Sequence, residues 1–280
     1  MSFARLRSVR KVFPAGELGP SARDDLIALD DATFSYDEGE FVALLGPSGC
    51  GRTTSLRIVA GLVARTSGEL TIGGRDVQGP YADYDFVFQS PALMPWRSVL
   101  DNILLPMDVL HRRDRQAVVG ACELLKLVGL KGFEQALPSR LSGGMQQRVS
   151  LCRALIHQPK LLLMDEPFGA LDELTRLEMN DLLLDVRQET GAAALFVTHS
   201  IADAVYLAGK VLVFTCRPAR LVTEIRPGLG RQRQRQRQRQ PSMRFEASFL
   251  AAERAAGEAL GVITRDPSIA AAGRSGVAVS

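Results

Sequence analysis

Apolar positions in this chain fall into short unbroken runs separated by longer stretches with helical spacing. Phe41-Val42-Ala43-Leu44-Leu45, Leu161-Leu162-Leu163-Met164 and residues 192–197 have no polar interruption, the pattern of strands buried on both faces. Residues 84–89 read as a further buried strand ending on a polar residue. Ala32-Thr33-Phe34-Ser35-Tyr36 alternates instead, as a half-buried strand does. Glu69-Leu70-Thr71-Ile72 before Gly73-Gly74 predicts a hairpin edge. Between residues 98 and about 157 the pattern turns helical, with charged faces around 112–115 and an apolar stripe through Leu124, Leu125 and Val128. Residues 173–189 read as one more helix, and 211–214 and 220–225 extend the sheet. Strands alternating with helices predict an α/β fold: a mainly parallel sheet flanked by helices, with an antiparallel β edge and an inserted helical subdomain.

Composition narrows the class without changing the fold. The 280 residues have ordinary apolar and charged fractions, and no run approaches the length of a membrane-spanning helix. The basic N-terminus lacks the apolar core of a secretory signal, so a cytosolic product is expected. Four scattered cysteines form no C-x-x-C pair and indicate neither a metal site nor a disulfide framework. The net charge is +3, but five arginines lie in the Arg-Gln repeat at 231–240, leaving 3 − 5 = −2 for the rest. The body therefore carries no basic excess of the kind that nucleic-acid binding requires. The repeat reads as a solvated linker, with attraction to anionic lipid headgroups as its functional alternative. Residues 245–260 beyond it are Ala-rich and helix-prone.

Chemistry enters where the runs end. The first run opens onto Gly46-Pro47-Ser48-Gly49-Cys50-Gly51-Arg52-Thr53-Thr54, followed by a helix-compatible stretch. A buried strand, a tight glycine turn and a helix N-terminus aim backbone N–H groups at an anion. The phosphate-loop pattern G-x-x-x-x-G-K-[ST] is met except at position 52, where Arg stands for Lys. The second run ends on Asp165-Glu166. Asp165 can hold Mg²⁺ beside the Thr53 hydroxyl, and Glu166 can polarise a water for attack on a γ-phosphate. Leu141-Ser142-Gly143-Gly144-Met145-Gln146 opens a helix whose N-terminal amides could bind a second anion; by itself Ser142 is an N-cap. The third run ends on Thr198-His199, the one histidine of three to close a buried strand.

These elements, in this order, resemble the nucleotide-binding subunit of an ABC transporter over residues 9–226. The likeness rests on a Walker A loop at 46–53, a Q-loop at Gln89, an LSGGQ-type signature at 141–146 and Walker B at 161–166. A D-loop at Ala170-Leu171-Asp172 and a switch histidine at His199 complete it. The resemblance implies ATP and Mg²⁺ as ligands, with Thr53, Gln89 and Asp165 at the metal. It implies a head-to-tail dimer in which each ATP lies between one Walker loop and the Ser142-Gly143-Gly144 turn of the second copy, with Asp172 nearby. Glu166, His199 and Gln89 would carry hydrolysis. Adenine would stack on an aromatic upstream of the loop; Phe13 and Tyr36 compete, and Phe13 fits the family's placement better. Pro91-Ala92-Leu93-Met94-Pro95-Trp96 would face transmembrane permease subunits, themselves served by a periplasmic solute-binding protein. The segment 89–102 resembles the nitrate/sulfonate/taurine import group, which implies a peripheral place on the cytoplasmic face of the inner membrane.

The implied domain plan is an ATPase domain at 1–230 with its helical subdomain at about 90–157, a linker at 231–240 and a tail at 241–280. Arg52 is the departure. A planar fork replaces a compact ammonium, so binding is expected to survive better than turnover. Either a working ATPase or a nucleotide-gated module with little turnover follows from it.

Overall fold

The computed structural model describes residues 2–18, 24–80, 84–215, 218–228, 244 and 246–261. Two sheets organise it. The larger has strand order β10-β9-β3-β8-β7-β6, built from β3 (Phe41–Leu45), β6 (Tyr84–Val87), β7 (Leu161–Asp165), β8 (Ala193–Thr198), β9 (Lys210–Phe214) and β10 (Leu221–Ile225). All its pairings are parallel except that of β10 with β9. The unbroken apolar runs follow from this position: every residue of β3, β8 and β9 is buried, because both faces are covered.

The period-two geometry of a strand sends alternate residues of each run into different cores. Phe41, Ala43, Leu45, Leu162, Met164 and Phe196 pack with α7 (Glu173–Thr190), α8 (Ile201–Leu207) and the C-terminal helix (Ala247–Ala259). Val42, Leu44, Leu161, Leu163 and Leu195 face the other way. There they meet α2 (Arg52–Val59) and the second sheet, of order β2-β1-β4-β5. That sheet comprises β1 (Ala4–Phe13), β2 (Leu26–Tyr36), β4 (Ser67–Ile72) and β5 (Arg75–Asp76), and is antiparallel throughout.

Strand β10 is thus the antiparallel edge of the larger sheet, while β1, β2, β4 and β5 form a layer of their own, in which Leu6, Leu29, Phe34 and Leu70 are buried against one face of that sheet. The alternation noted at 32–36 is the second half of the longer β2. The strand expected over 84–89 ends at Val87. Its ladder stops where Val87 faces Met164, and the Phe88 carbonyl instead accepts from Gln147 Nε2 at 3.3 Å.

Helices α3 (Val99–Ile103), α4 (Leu105–Val109), α5 (Arg115–Leu127) and α6 (Gly143–Leu155) gather around a third core through Val99, Ile103, Leu125 and Val149. Helix α6 belongs to two cores: Val149 and Cys152 face the helical cluster, while Leu151, Ala154 and Leu155 face the sheet. Among the described residues no helix is long and apolar enough to cross a membrane. The Arg-Gln repeat and Cys216 lie outside the described residues.

Candidate functional site

The phosphate loop leaves the C-terminal end of β3 and turns into α2. Gly51 is the N-cap of α2 with φ of 89° and no side-chain capping bond. Only glycine fits there, since a Cβ would stand 2.1 Å from the Ala28 carbonyl oxygen of β2. The first amides of α2 therefore have no side chain competing for them and face a cleft of about 630 Å³. Its walls are Ser48 to Thr54 on one side, Phe13 with Leu26, Ile27 and Ala28 on another, and Gln89, Asp165 and Glu166 at the strand ends.

Walker A and Walker B meet directly. The Thr53 hydroxyl donates to Asp165 Oδ1 at 2.9 Å. Burial pushes the Asp165 carboxyl above its usual range, against the lowering effect of the Thr53 hydrogen bond and of Arg57. A hydroxyl and a carboxylate paired in a partly buried place are hard oxygen donors that suit Mg²⁺, and a cation would offset the burial penalty. Gln89 lines the same cleft.

Glu166 has φ of 46°, a left-handed backbone that costs a non-glycine residue of the order of 1–2 kcal/mol. The turn takes its side chain out of the strand line, so that Asp165 and Glu166 serve different points of the cleft. Glu166 Oε2 lies 3.2 Å from His199 Nδ1. Gln89 Nε2 and Glu166 Oε2 converge on Gly169, where a Cβ would stand 3.7 and 3.5 Å from them. A carboxylate beside an imidazole and an amide, at the mouth of an anion-binding loop, has the chemistry to orient and deprotonate a water.

Arg52 takes an unforeseen place. Its side chain is only 3% exposed, and Nη2 lies 3.2 Å from Glu166 Oε1. Nη1 donates to the Thr198 carbonyl. The guanidinium thus ties the loop to the ends of β7 and β8.

The two candidate adenine platforms separate clearly. Phe13 lines the cleft, with the Lys11 ammonium 4.5 Å from its ring centre. Tyr36 is in the core against Phe3, its hydroxyl without a hydrogen-bond partner and its ionisation suppressed by burial.

Ser142, Gly143, Gly144 and Asp172 are not brought to this cleft. Ser142 caps α6 by accepting from the Met145 N–H at 3.3 Å, and Asp172 caps α7 by accepting from the Thr175 N–H at 3.1 Å. Gly144 packs so tightly on Thr175 that a Cβ would stand 2.6 Å from its Cγ2. Signature turn and D-loop therefore form one surface, separate from the phosphate cleft of the same chain.

The segment after Gln89 is held from behind by residues that sequence reasoning missed. Arg153 donates to the Pro91 and Ala92 carbonyls, each at 2.8 Å. Asn102, fully buried, accepts from the Met94 N–H at 2.7 Å and donates to the carbonyls of Met94, Arg97 and Ser98. Trp96, in this clamped segment, is 74% exposed. Leu26, Ile27 and Ala28 were also missed, because they precede the alternating stretch at 32–36 by which β2 was legible.

Residues 29–169 match the ABC transporter family. The chain belongs to that family. A taurine import ATP-binding protein, TauB, of Rhizobium johnstonii is 49% identical over 197 residues, 70% of this chain and 74% of that protein. The uncharacterized ABC transporter ATP-binding protein MJ0412 of Methanocaldococcus jannaschii is 45% identical over 206 residues, 74% of this chain and 77% of its own. Among solved structures, the dimeric bacterial ABC transporter cassette MJ0796 superposes with a TM-score of 0.67 at 31% identity, covering 80% of this chain and 98% of that one. The same cassette in a post-hydrolysis state bound to ADP and Pi gives 0.65 at 30% identity. As an ABC cassette, this chain is an ATP-binding ATPase subunit, of a kind that dimerises and works with membrane permeases.

Proposed function

We propose that this subunit energises an importer for taurine or a similar small sulfonate or nitrate-like solute, acting as a homodimer on the cytoplasmic face of the inner membrane. Support for the solute comes from relatives named for taurine import at 40–49% identity, together with the 89–102 segment. No residue of the cleft would contact the solute; a periplasmic binding protein and the permease would select it.

In this reading adenine stacks on Phe13, and the phosphates lie on the amides of residues 48–54 at the start of α2. Thr53, Asp165 and Gln89 would hold Mg²⁺, which when bound neutralises charge on the β- and γ-phosphate oxygens. Glu166 accepts a proton from the attacking water while His199, 3.2 Å from its other oxygen, orients it. Ser142, Gly143, Gly144 and Asp172 act on the ATP held by the second copy. Two-fold symmetry makes two such composite sites, which accounts for a signature turn facing away from its own cleft. The clamped segment bearing Trp96 docks the permease, so that closure of the dimer moves the membrane subunits.

The observation that carries the catalytic reading is the convergence of Thr53, Asp165 and Glu166 on one cleft, with His199 Nδ1 3.2 Å from Glu166 Oε2. Glu166→Gln should lower ATP turnover by about 100-fold or more and trap an ATP-bound dimer visible by sizing; unchanged turnover would remove Glu166 from the mechanism. Deleting the chain should abolish taurine uptake by the source cells. Undiminished uptake refutes the solute and leaves the ATPase assay to stand or fall separately.

A second reading, a nucleotide-gated module with little turnover, is favoured by one feature: Arg52 is engaged with Glu166. Arg52→Lys separates the two. A large gain in turnover means that catalysis is curtailed by the arginine, and no change means that the arginine is tolerated.

A further inference from the structure

Arg52 has more than one anionic partner to choose from. Its guanidinium is enclosed, its Nη2 on Glu166 Oε1 at 3.2 Å and its Nη1 on the Thr198 carbonyl. Its side chain is only 3% exposed, so the stem is enclosed as well as the fork. Glu166 Oε2 is meanwhile 3.2 Å from His199 Nδ1. Both oxygens of Glu166 are therefore engaged, one by a permanent cation. A hydrogen-bonded pair with its cation buried and its carboxylate half-buried is less screened than a surface pair, and separating it leaves the guanidinium uncompensated. A polyphosphate arriving at the α2 amides offers the guanidinium a partner of higher charge and matching fork geometry. A lysine has no planar fork to span two acceptors at once.

We infer, resting on the reading of the cleft as an ATP site, that Arg52 is an internal anion switch. In the nucleotide-free chain it is locked on Glu166 and Thr198; the phosphates of ATP take the guanidinium over and release Glu166 as they do so. The lock lowers ATP affinity by competition and keeps Glu166 from water while the site is empty. Arg52 thus discriminates a filled site from an empty one before any chemistry.

Two measurements test this, neither of which reads hydrolysis. The first is a double-mutant cycle on the nucleotide-free protein with Arg52→Gln, Glu166→Gln and both. The combined loss of unfolding midpoint should fall short of the sum of the single losses by about 3 °C or more; additive losses overturn the switch. The second is equilibrium binding of ATP in EDTA. Glu166→Gln should tighten ATP by about tenfold in the wild-type background and by less than about threefold in the Arg52→Lys background. Equal gains in both backgrounds overturn the switch and leave ATP binding intact. Coupling in the first cycle with no ATP bound by any variant sinks the ATP-site reading, and the switch with it, while the ion pair remains.

Discussion

Asn102 offers a sharp test of how the Gln89 segment is held. It is fully buried on α3. Its Oδ1 accepts from Met94 N–H at 2.7 Å, and its Nδ2 donates to the carbonyls of Met94, Arg97 and Ser98 at 3.1, 3.0 and 2.9 Å. Asn102→Ala does not orphan all four groups equally. The Met94 carbonyl keeps the Arg97 N–H at 3.1 Å, and the Ser98 carbonyl keeps the Asn102 N–H at 2.9 Å. The Met94 N–H and the Arg97 carbonyl lose this partner with nothing beside it to replace it. Two such groups cost roughly 1–1.5 kcal/mol each, and the small void adds about 1 kcal/mol, so the expected loss is about 3 kcal/mol.

Urea unfolding followed by far-UV circular dichroism and by fluorescence would read it. Trp96, the single tryptophan of the chain, lies inside the clamped segment. With a slope near 3 kcal/mol/M the midpoint should fall by about 1 M, and the Trp96 signal should change at or before the global transition. Asn102→Asp sharpens the test at constant volume. It keeps an acceptor for Met94 but, once ionised, sets negative charge against three carbonyls, so its folded carboxyl binds its proton more tightly than the unfolded one. Stability of that variant should fall as pH rises above about 4, where only the unfolded chain readily releases the proton. A midpoint shift under about 0.3 M for Asn102→Ala, or a pH-independent Asn102→Asp deficit, would refute the clamp.

Two further outcomes follow from other parts of the fold. Gly144→Ala should cost about 1–3 kcal/mol by overpacking, because Thr175 Cγ2 would lie 2.6 Å from the new Cβ and the Thr175 hydroxyl is pinned to Asp172 Oδ2 at 2.7 Å. Adding Thr175→Ser keeps the hydroxyl, removes the methyl and should restore the melting temperature; no rescue would place the cost elsewhere. Burial pushes the Asp85 carboxyl up to about 6, partly countered by its bond to the Phe86 N–H and by Arg153, with His157 Nδ1 at 3.4 Å. The folded chain then holds this proton longer than the unfolded one. Its contribution therefore declines as pH rises from about 4 to 6, by about 3 kcal/mol in all. Asp85→Asn should flatten that part of a stability–pH profile measured by denaturant titration, and an unchanged slope would contradict it.

The sequence by itself determined the parts whose physics is local. Three unbroken apolar runs, two of them ending on a polar residue, mark buried parallel strands, and Gly46 to Thr54 marks the anion-binding turn between a strand and a helix. Ser142 and Asp172 announce helix starts because a short polar side chain before a helix satisfies its first amides. Fixed spacing along one chain carries such signals, and so the fold class and the motif residues were legible. The tertiary structure alone decided what depends on distant partners. It separated Phe13, at the cleft, from Tyr36, in the core, although both are aromatic residues near strand ends. It gathered β1, β2, β4 and β5 into a layer of their own. It recruited Gln147, Arg153 and Asn102 to the backbone of the Gln89 segment, through side-chain bonds to carbonyls that leave no periodic trace; the first two span about sixty residues. Position 52 shows the division most clearly. The sequence exposes an arginine where a lysine is expected, but only the fold shows that its planar fork reaches Glu166 and Thr198 at once, because a charge's partner is set by what folding brings within reach.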